Sequence, residues 1–545
     1  MKTLPTYHQK NIWNPYTLGC LLILLAIGIH ITRHLEANMD ILLWDEANYL
    51  SRGLWMFHKI PKVWGPSYSA WYKVLSFIQP DKISLYYLNY KVMTIGSALA
   101  AFLLLSVCGL RQWIALLLCS FLLLSSFNLP AWPKISHYCI IVVMLAIVVS
   151  KQLSSALARW SVFSLALLVC AYARPELFLS FAACFIITLY IAFRQFKNSK
   201  TAVRIFFCLT AAWILFICWY YKTPFNSGDS GRSIKVFYQH FAMNYIQWHH
   251  LNLSWWLDWQ DIISKNITHP ESVSSMIRYD GPLFWKHIFS NLQNYIIGLG
   301  SLIAQFFAAI SLRNKILYVL SGIGLVIYFL FARLKGFTTR FKISIRENAE
   351  ALLFLLIFIF PGILVCVYAY PRTHYLVIDI PLTLLLFGMV LSALQPEDDS
   401  IKKWLASLLA IAVFIFAPDA QGFDFYQLER KTPSLANRET LRYLQQLQPA
   451  DTLKIFDLEG DLTSMLNGKY KGHTNAYLLQ NELPLSQFIE NNNIEMIYVT
   501  PSLIQQAQIK KDTVFIRLLE NPSEYHFYPE KTGNFGPYLL IRRKP

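Results

Sequence analysis

Two adjacent carboxylates, Asp45 and Glu46, are the residues in this sequence best suited to acid–base chemistry. They lie in an aromatic and apolar segment from Trp44 to Tyr49, where a carboxylate is costly unless it is used or paired. Adjacent side chains diverge by about 100° on a helix, so one carboxylate can face a cavity while the scaffold holds its neighbour. The pair suits one general base with one supporting acid. The alternative is an acidic cap at the start of a helix.

Two lysines flank an aromatic stretch that follows the acidic pair. A Gly65-Pro66 turn separates Lys62 from an amphipathic helix that contains Tyr68 and Lys73. Either lysine can meet a phosphate as a point charge. The alternative is an interfacial belt, in which aromatic rings lie at headgroup depth and lysines reach toward water.

Arginine recurs at two later positions that the charge pattern places on the outer face of the membrane. Arg174 precedes Glu176 at the start of a predicted span, and Arg372 lies in a tight hairpin with His374 and Tyr375. Arginines that orient a membrane protein concentrate on the cytoplasmic side, so an outer arginine at membrane depth is a candidate anion ligand. The alternatives are snorkelling for Arg174 and a headgroup anchor for Arg372.

No metal or nucleotide motif is recognisable. His240, His249 and His250 lie in an aromatic loop, but no cysteine or acid completes a familiar ligand spacing around them. Walker, dinucleotide-binding and HExxH motifs are missing from the sequence. We therefore expect no cofactor and no dedicated metal site, and a divalent metal remains an open alternative.

The composition shows what kind of scaffold must position these residues. The 545 residues are 55% apolar and 15% charged, with a mean hydropathy of +0.38, which is typical of a membrane protein. The net charge of +16 comes largely from short basic loops between apolar runs, which is the positive-inside pattern and not a nucleic-acid-binding stripe. The nine cysteines lie in or beside apolar runs and predict no disulfide framework.

Charge bookkeeping predicts about 11 spans, with a range of about 11–13. The first follows a cytoplasmic N-terminus, and the others are expected near 91–108, 112–128, 138–150, 160–173, 176–193, 204–220, 315–333, 349–369, 375–393 and 402–418. Outer loops then cover 32–90 and 221–312, and we expect the polar-rich stretch at 285–312 to be an interfacial or re-entrant helix.

The last part of the chain has the composition of an ordinary α/β domain. The membrane domain is expected to cover residues 1–419 and the extracytoplasmic domain 420–545. Strands are predicted at Leu453 to Leu458, Glu495 to Thr500 and Tyr538 to Ile541, with a helix at Leu485 to Asn491.

These features together resemble the superfamily C (GT-C) membrane glycosyltransferases, particularly the bacterial lipid A aminoarabinose transferases and the protein O-mannosyltransferases. The resemblance rests on an acidic pair just past span one, an aromatic helix after it, Arg-Pro-Glu at an outer helix start, a Tyr-x-Arg-x-His-Tyr hairpin and a C-terminal domain. It covers roughly residues 15–420. The sequence departs from the family at Gly65 to Tyr68, where many relatives have a lysine and two prolines.

The resemblance implies an inverting transfer of a sugar from a polyprenyl-phosphate donor to an extracytoplasmic lipid, glycan or protein. It assigns the base to Asp45 and its support to Glu46. Expected phosphate contacts are Lys62 or Lys73, with Arg174 and Arg372, and expected substrate contacts are Tyr49, Tyr68, Glu176, His374 and Tyr375. The implied partners are the donor and membrane lipids, without nucleic acid, in a bacterial inner membrane.

Two other classes remain open. A transporter of lipids or polymers would line a path for a charged headgroup with the same residues. A ligase or polymerase of lipid-linked glycans would depend on Arg372 and His374 and would not need Asp45. The sequence does not name the sugar, the acceptor or the role of the C-terminal domain.

Overall fold

The computed structural model describes residues 14–55, 65–221, 232–253, 255, 258–308, 336–394, 415, 417–423, 425, 436–447, 449, 451–458, 462–473, 484–505, 507–530 and 538–542. The α-helices up to residue 394 are α1 Pro15–Ile31, α2 Leu35–Asn38, α3 Asp45–Leu54, α4 Pro66–Ser76, α5 Lys82–Val107, α6 Gln112–Leu124, α7 Ile135–Gln152, α8 Ala156–Ala171, α9 Phe178–Gln195, α10 Thr201–Tyr221, α11 Arg232–Trp248, α12 Trp259–Asn266, α13 Val273–Tyr279, α14 Gly281–Ala308, α15 Phe337–Glu347, α16 Ala349–Tyr368, α17 Thr373–Leu376 and α18 Ile380–Leu394. Short 3-10 helices lie at Pro175–Leu177, Val377–Asp379 and Ala420–Gly422.

The chain is a multi-pass α-helical membrane protein. Within the described residues, seven helical segments are long and apolar enough to cross a membrane, and α6 and α8 are shorter apolar helices. The seven segments are Pro15–Asn38, Lys82–Val107, Ile135–Gln152, Pro175–Gln195, Thr201–Tyr220, Ala349–Tyr368 and Thr373–Leu394. Large apolar side chains on these helices face outward, such as Phe193 at 88% and Trp219 at 69% exposure. Such surfaces suit lipid and not water.

The helix boundaries correct one prediction and leave three untested. The span predicted at 91–108 begins earlier, at Lys82, because the Asp81 carboxylate accepts the Ser84 N–H at 2.8 Å and caps the helix. The stretch predicted as interfacial or re-entrant is one helix, α14, which is not among the seven candidate spans. The span predicted at 315–333 lies outside the described residues. Of the span predicted at 402–418, only residues 415, 417 and 418 are described.

The chain divides into two compact units. The first, called here the helical unit, comprises Met1–Arg33, Pro61–Tyr68 and Tyr90–Asp424. Its α7, α8 and α9 pack side by side, α1 packs on α6, α14 on α16, and α15 on α18. The core of this unit is therefore made between neighbouring apolar helices.

The second, called here the mixed unit, comprises His34–Ile60, Ser69–Asn89 and Phe425–Pro545. Its C-terminal part contains α19 Ala436–Leu447, β1 Leu453–Asp457, β2 Tyr470–Gly472, α20 Leu485–Asn491, β3 Met496–Val499, α21 Pro501–Gln505, α22 Ala507–Lys511, α23 Thr513–Glu520, β4 Phe527–Glu530 and β5 Tyr538–Arg542, with 3-10 helices at Leu462–Met465 and Pro522–Tyr525. The predicted α20 and strands β1, β3 and β5 are present, whereas the short β2 and the edge strand β4 were not predicted.

The five strands form one sheet in the order β2-β1-β3-β5-β4. β1 is parallel to β2 and β3, with Phe456 opposite Ile497, and β5 is antiparallel to β3 and β4. Phe456 and Ile497 belong to one buried cluster with Phe488 and Phe515 from the helices. The last part of the chain is thus an α/β domain, and residues 34–60 and 69–89 group with it.

Candidate functional site

Glu46 of the mixed unit is held by an extensive hydrogen-bond network. Its side chain is fully buried in the first turn of α3. The Glu46 Oε1 atom accepts from Tyr72 Oη at 2.5 Å and from Asn89 Nδ2 at 2.9 Å, and Trp71 Nε1 donates to Asn89 Oδ1 at 2.9 Å. Glu46 therefore has the surroundings of a structural support, because its acceptor capacity is used inside the protein.

Asp45 differs from its neighbour in exposure. It is the first residue of α3 and is half-buried, so its carboxylate is more accessible than that of Glu46. The two carboxylates thus separate into an accessible and a buried group, as adjacent positions on a helix allow. Tyr49, one turn further along, is buried on the same helix.

The structure describes only one of the two candidate phosphate-binding lysines. Lys73, on α4, is half-buried with its Nζ 5.4 Å from the centroid of the Phe77 ring, which is 75% exposed. This contact suits an interfacial side chain as well as a phosphate ligand. Lys62 lies outside the described residues.

In the helical unit, Arg174 is a buried and firmly held cation. Its Nε donates to Glu176 Oε1 at 2.6 Å, its Nη1 donates to Ser136 Oγ at 2.5 Å, and its Cζ lies 4.6 Å from the Tyr375 ring centroid. Burial lowers the pKa of Arg174, but the Glu176 carboxylate and Tyr375 outweigh burial and raise it. The guanidinium therefore remains charged. Glu176 and Ser136 hold two of its edges, and the Tyr375 ring covers one face.

Arg372 and His374 lie in the same part of the helical unit as this cation. The Arg372 Cζ is 4.7 Å from the Trp255 ring centroid, and the guanidinium is half-buried. Both Arg174 and Arg372 act electrostatically on His374, as do His137 and His240. The structure thus gathers most of the residues predicted in the helical unit into one group, called here the cationic cluster: Arg174, Glu176, Arg372, His374 and Tyr375.

Tyr68, the remaining described residue among those predicted in the helical unit, is fully buried. Its ring lies 5.4 Å from that of Tyr138, next to His137 on α7. The preceding residue, Ser67, donates from Oγ to the Val169 carbonyl at 2.7 Å and from its N–H to the Tyr172 carbonyl at 3.4 Å. Tyr68 is therefore fixed to the segment that leads into Arg174.

A buried amide and imidazole network fixes the chain that leads into Arg372. Asn291 Nδ2 donates to the carbonyls of Val367 and Ala369, each at 2.9 Å, at the end of α16. His287 Nε2 bonds the Tyr368 carbonyl at 3.1 Å, and Asn244 Nδ2 donates to Asn291 Oδ1 at 2.7 Å. These contacts satisfy carbonyls that the helix leaves open and define where the hairpin begins.

His240 adds a neutral imidazole to the same region. Its Nδ1 bonds the Val236 carbonyl at 2.8 Å, and its ring is parallel to that of Tyr370. Burial and the nearby Arg372 lower the pKa of His240 to about 3, so the imidazole is neutral near pH 7. Among the described residues, none forms a hydrogen bond with its buried Nε2.

Sequence reasoning missed the residues that hold the site. The residues missed are Tyr72, Asn89, Asn244, His287 and Asn291, and His240 was considered only as a metal ligand. The available signal was an asparagine inside an apolar helix, as at Asn89, because such a group must find a partner. No group of three or more potential metal ligands occurs in the part of the chain that the structure describes.

Comparison with known proteins gives a likeness in structure but none in sequence. No protein-family model matches the sequence, and no curated protein matches it. The chain is similar to the crystal structure of ArnT from Cupriavidus metallidurans bound to undecaprenyl phosphate, with 12% sequence identity and a TM-score of 0.37, over 96% of this chain and 97% of that chain.

Proposed function

We propose that this protein transfers a sugar from a polyprenyl-phosphate donor to an acceptor on the outer side of the membrane. The observation that supports this most is the cationic cluster at the start of a membrane-spanning helix. Two arginines there outnumber the single carboxylate of Glu176, and aromatic rings cover both guanidinium groups. A lipid phosphate needs such a site: fixed positive charge at membrane depth, beside an apolar surface.

The apolar surface begins close to the cluster. A groove of about 330 Å³ lies between α9 and α16, lined by Leu179, Ser180, Ala183, Leu356, Phe360 and Pro361. Ser180 Oγ donates to the Ile357 carbonyl at 2.6 Å, which Pro361 cannot satisfy because it has no N–H. Leu179 follows Glu176 by three residues, about 5 Å along a helix. We assign the isoprenoid chain of the donor to this groove and its phosphate to the cluster.

The roles follow from the chemistry of an inverting transfer. A hydroxyl or amine of the acceptor attacks the anomeric carbon, and the bond between that carbon and the phosphate oxygen breaks with its electron pair going to the phosphate. We assign the proton released by the acceptor to the Asp45 carboxylate, since Asp45 is the more accessible of the two acids. Arg174 and Arg372 stabilise the negative charge on the departing phosphate, so no acid catalyst is required.

A transfer assay tests this proposal. Purified full-length protein is given radiolabelled undecaprenyl-phosphate pentoses and hexoses together with a membrane extract as acceptor, and the label that leaves the carrier is followed. We expect wild type to transfer at least one sugar. We expect Asp45→Asn to slow transfer by about 100-fold to 10,000-fold while donor binding is retained, which is the usual contribution of a general base. Glu36→Gln is the matched control, because Glu36 is another half-buried acid and lies nine residues earlier.

Other outcomes favour the other classes. If Asp45→Asn transfers as fast as wild type, Asp45 is a helix cap, and a ligase that depends on Arg372 and His374 takes its place. If wild type leaves the sugar on the carrier but moves the intact lipid across proteoliposomes, the protein is a transporter.

A further inference from the structure

The segment that leads into Asp45 is attached to the C-terminal α/β domain by a carboxylate. Asp40 is 2% exposed, and its Oδ1 accepts the Arg438 N–H at 2.9 Å while its Oδ2 accepts the Asn437 N–H at 3.1 Å. These two N–H groups belong to the first turn of α19, where no intrahelical acceptor is available. Asp40 thus caps a helix that lies 397 residues further along the chain.

In turn, α19 holds the segment around Asp40 through the side chain of Asn437. Asn437 Nδ2 donates to the Ile41 carbonyl at 2.8 Å, and Asn437 Oδ1 accepts from Tyr498 Oη of β3 at 2.7 Å. The Arg438 guanidinium also donates to the Glu36 carbonyl. The central strand β3 and the start of α19 therefore hold the backbone on both sides of Asp40.

The other side of the segment is held by α5. Tyr87 Oη donates to the Met39 carbonyl at 2.8 Å, and the Leu42 N–H donates to Tyr86 Oη at 3.2 Å. The same helix is joined to the C-terminal part by Lys82, whose Nζ donates to the carbonyls of Ser464 and Leu466 at 2.9 and 2.5 Å. Residues 39–42 thus have backbone partners from two directions, and α3 begins three residues later.

We infer that the C-terminal domain serves to position the general base, with Asp40 as the positioning residue. This inference rests on the proposed function, because it gives Asp45 the role of base. Asp40 and Asp45 are separated by four residues, so loss of the Asp40 contacts lets the start of α3 move. A displacement of about 1 Å of a catalytic group can cost about 100-fold in rate. The role of the domain is then mechanical and needs no acceptor-binding motif within it.

The test compares two buried aspartates that cap helices in the same unit. Asp40→Ala removes the cap of α19, whereas Asp512→Ala removes the cap of α23, where Asp512 Oδ1 accepts the Phe515 N–H at 3.0 Å. Asp512 also accepts from Ser486, so its contacts stay inside the C-terminal part. Both full-length variants are measured for amide hydrogen exchange over residues 41–54 without donor, and for kcat and KM in transfer from the labelled undecaprenyl-phosphate sugar that wild type uses.

We expect Asp40→Ala to accelerate exchange over residues 41–54 and to lower kcat by about tenfold or more with KM nearly unchanged, since only the placement of the base is altered. Asp512→Ala should accelerate exchange around α23 and leave kcat within about twofold, because loss of one cap loosens its own helix. If both variants lower kcat equally, Asp40 acts only through the stability of the domain and the inference is wrong. It is also wrong if exchange over residues 41–54 is unchanged in Asp40→Ala.

A milder variant and the donor-free measurement keep these outcomes interpretable. If Asp40→Ala does not fold, Asn437→Ala replaces it, because that change removes the bond to the Ile41 carbonyl but keeps the backbone N–H for Asp40. Hydrogen exchange is measured without donor. It therefore shows whether the Asp40 contacts hold residues 41–54 even if wild type transfers none of the sugars. Failure of transfer by wild type counts against the proposed function alone.

Discussion

Glu46 of the mixed unit and Glu176 of the helical unit both stand at the start of a helix, but they are held in different ways. Glu176 pairs with a cation two residues away, Arg174. Glu46 accepts from a hydroxyl and an amide that lie 26 and 43 residues away, Tyr72 and Asn89. The first carboxylate neutralises a charge, whereas the second joins three helices. Glu176 therefore makes a local ion pair, whereas Glu46 makes tertiary hydrogen bonds between helices.

The largest effect is expected from removal of an arginine from the cationic cluster. Arg372→Ala should lower kcat by about 100-fold to 1,000-fold, because one fixed donor to the departing phosphate is lost. Arg278→Ala is the matched control, since Arg278 also lies over an aromatic ring, that of Tyr279 at 5.5 Å. Steady-state transfer assays check both. Equal losses in the two variants would show that the effect is general loss of surface charge.

The next largest effect concerns stability: replacement by glutamine should be tolerated at Glu46 and not at Glu176. Glu46→Gln keeps an acceptor for Tyr72 and Asn89 and should cost at most about 1 kcal/mol, whereas Glu46→Ala should cost about 3 kcal/mol. Glu176→Gln should cost about as much as Glu176→Ala, about 3 kcal/mol, since either change leaves the buried Arg174 without its counter-charge. The free energy of unfolding in mixed micelles checks this. Rescue by glutamine at both positions would remove the distinction.

A smaller effect is expected where α3 approaches α4. A Cβ added at Gly53 would lie 2.3 Å from the Ser69 carbonyl oxygen, so Gly53→Ala must push the helices apart. We expect a loss of about 1–3 kcal/mol. At Gly19, in α1, nothing lies within 4 Å of an added Cβ, and Gly19→Ala should be neutral or stabilising by up to about 1 kcal/mol. Thermal unfolding of both variants checks this, and similar shifts would contradict the close contact.

The smallest effect concerns pH and His240. Its pKa is lowered from 6.5 to about 3 in the folded protein, so the unfolded chain binds the proton more readily between these values. His240 therefore reduces stability as the pH falls below about 6.5, by about 1–2 kcal/mol at pH 5. Arg372 and His287 face it and act in the same direction. His240→Gln should flatten the pH dependence of the free energy of unfolding, which chemical denaturation at pH 5 and at pH 7 checks.

The sequence allowed prediction of features that depend on neighbouring residues. Arg174 beside Glu176, the α/β character of the last part of the chain and the helix Leu485–Asn491 could be read from local pattern. The start of α5 at Lys82 was missed because its cap, Asp81, lay in a stretch that resembled a loop.

The hydrogen-bond networks that position the candidate site could not be predicted from the sequence, for a physical reason. Asn89 and Asn291 find partners only after helices far apart in sequence have packed, and single-sequence pattern does not encode which helices meet. The same holds for Asp40 and α19. Candidate chemistry was thus visible from residue types, whereas the groups that position it were not.

The most direct test of the account is whether the protein binds a lipid through its phosphate. Binding of undecaprenyl phosphate and of undecaprenol, which lacks the phosphate, is measured on wild type and on Arg372→Ala. We expect wild type to bind the phosphate at least about tenfold more tightly than the alcohol, and Arg372→Ala to lose most of that difference, as for a charge-assisted contact. Equal binding of the two lipids by wild type would contradict a phosphate site in the cationic cluster.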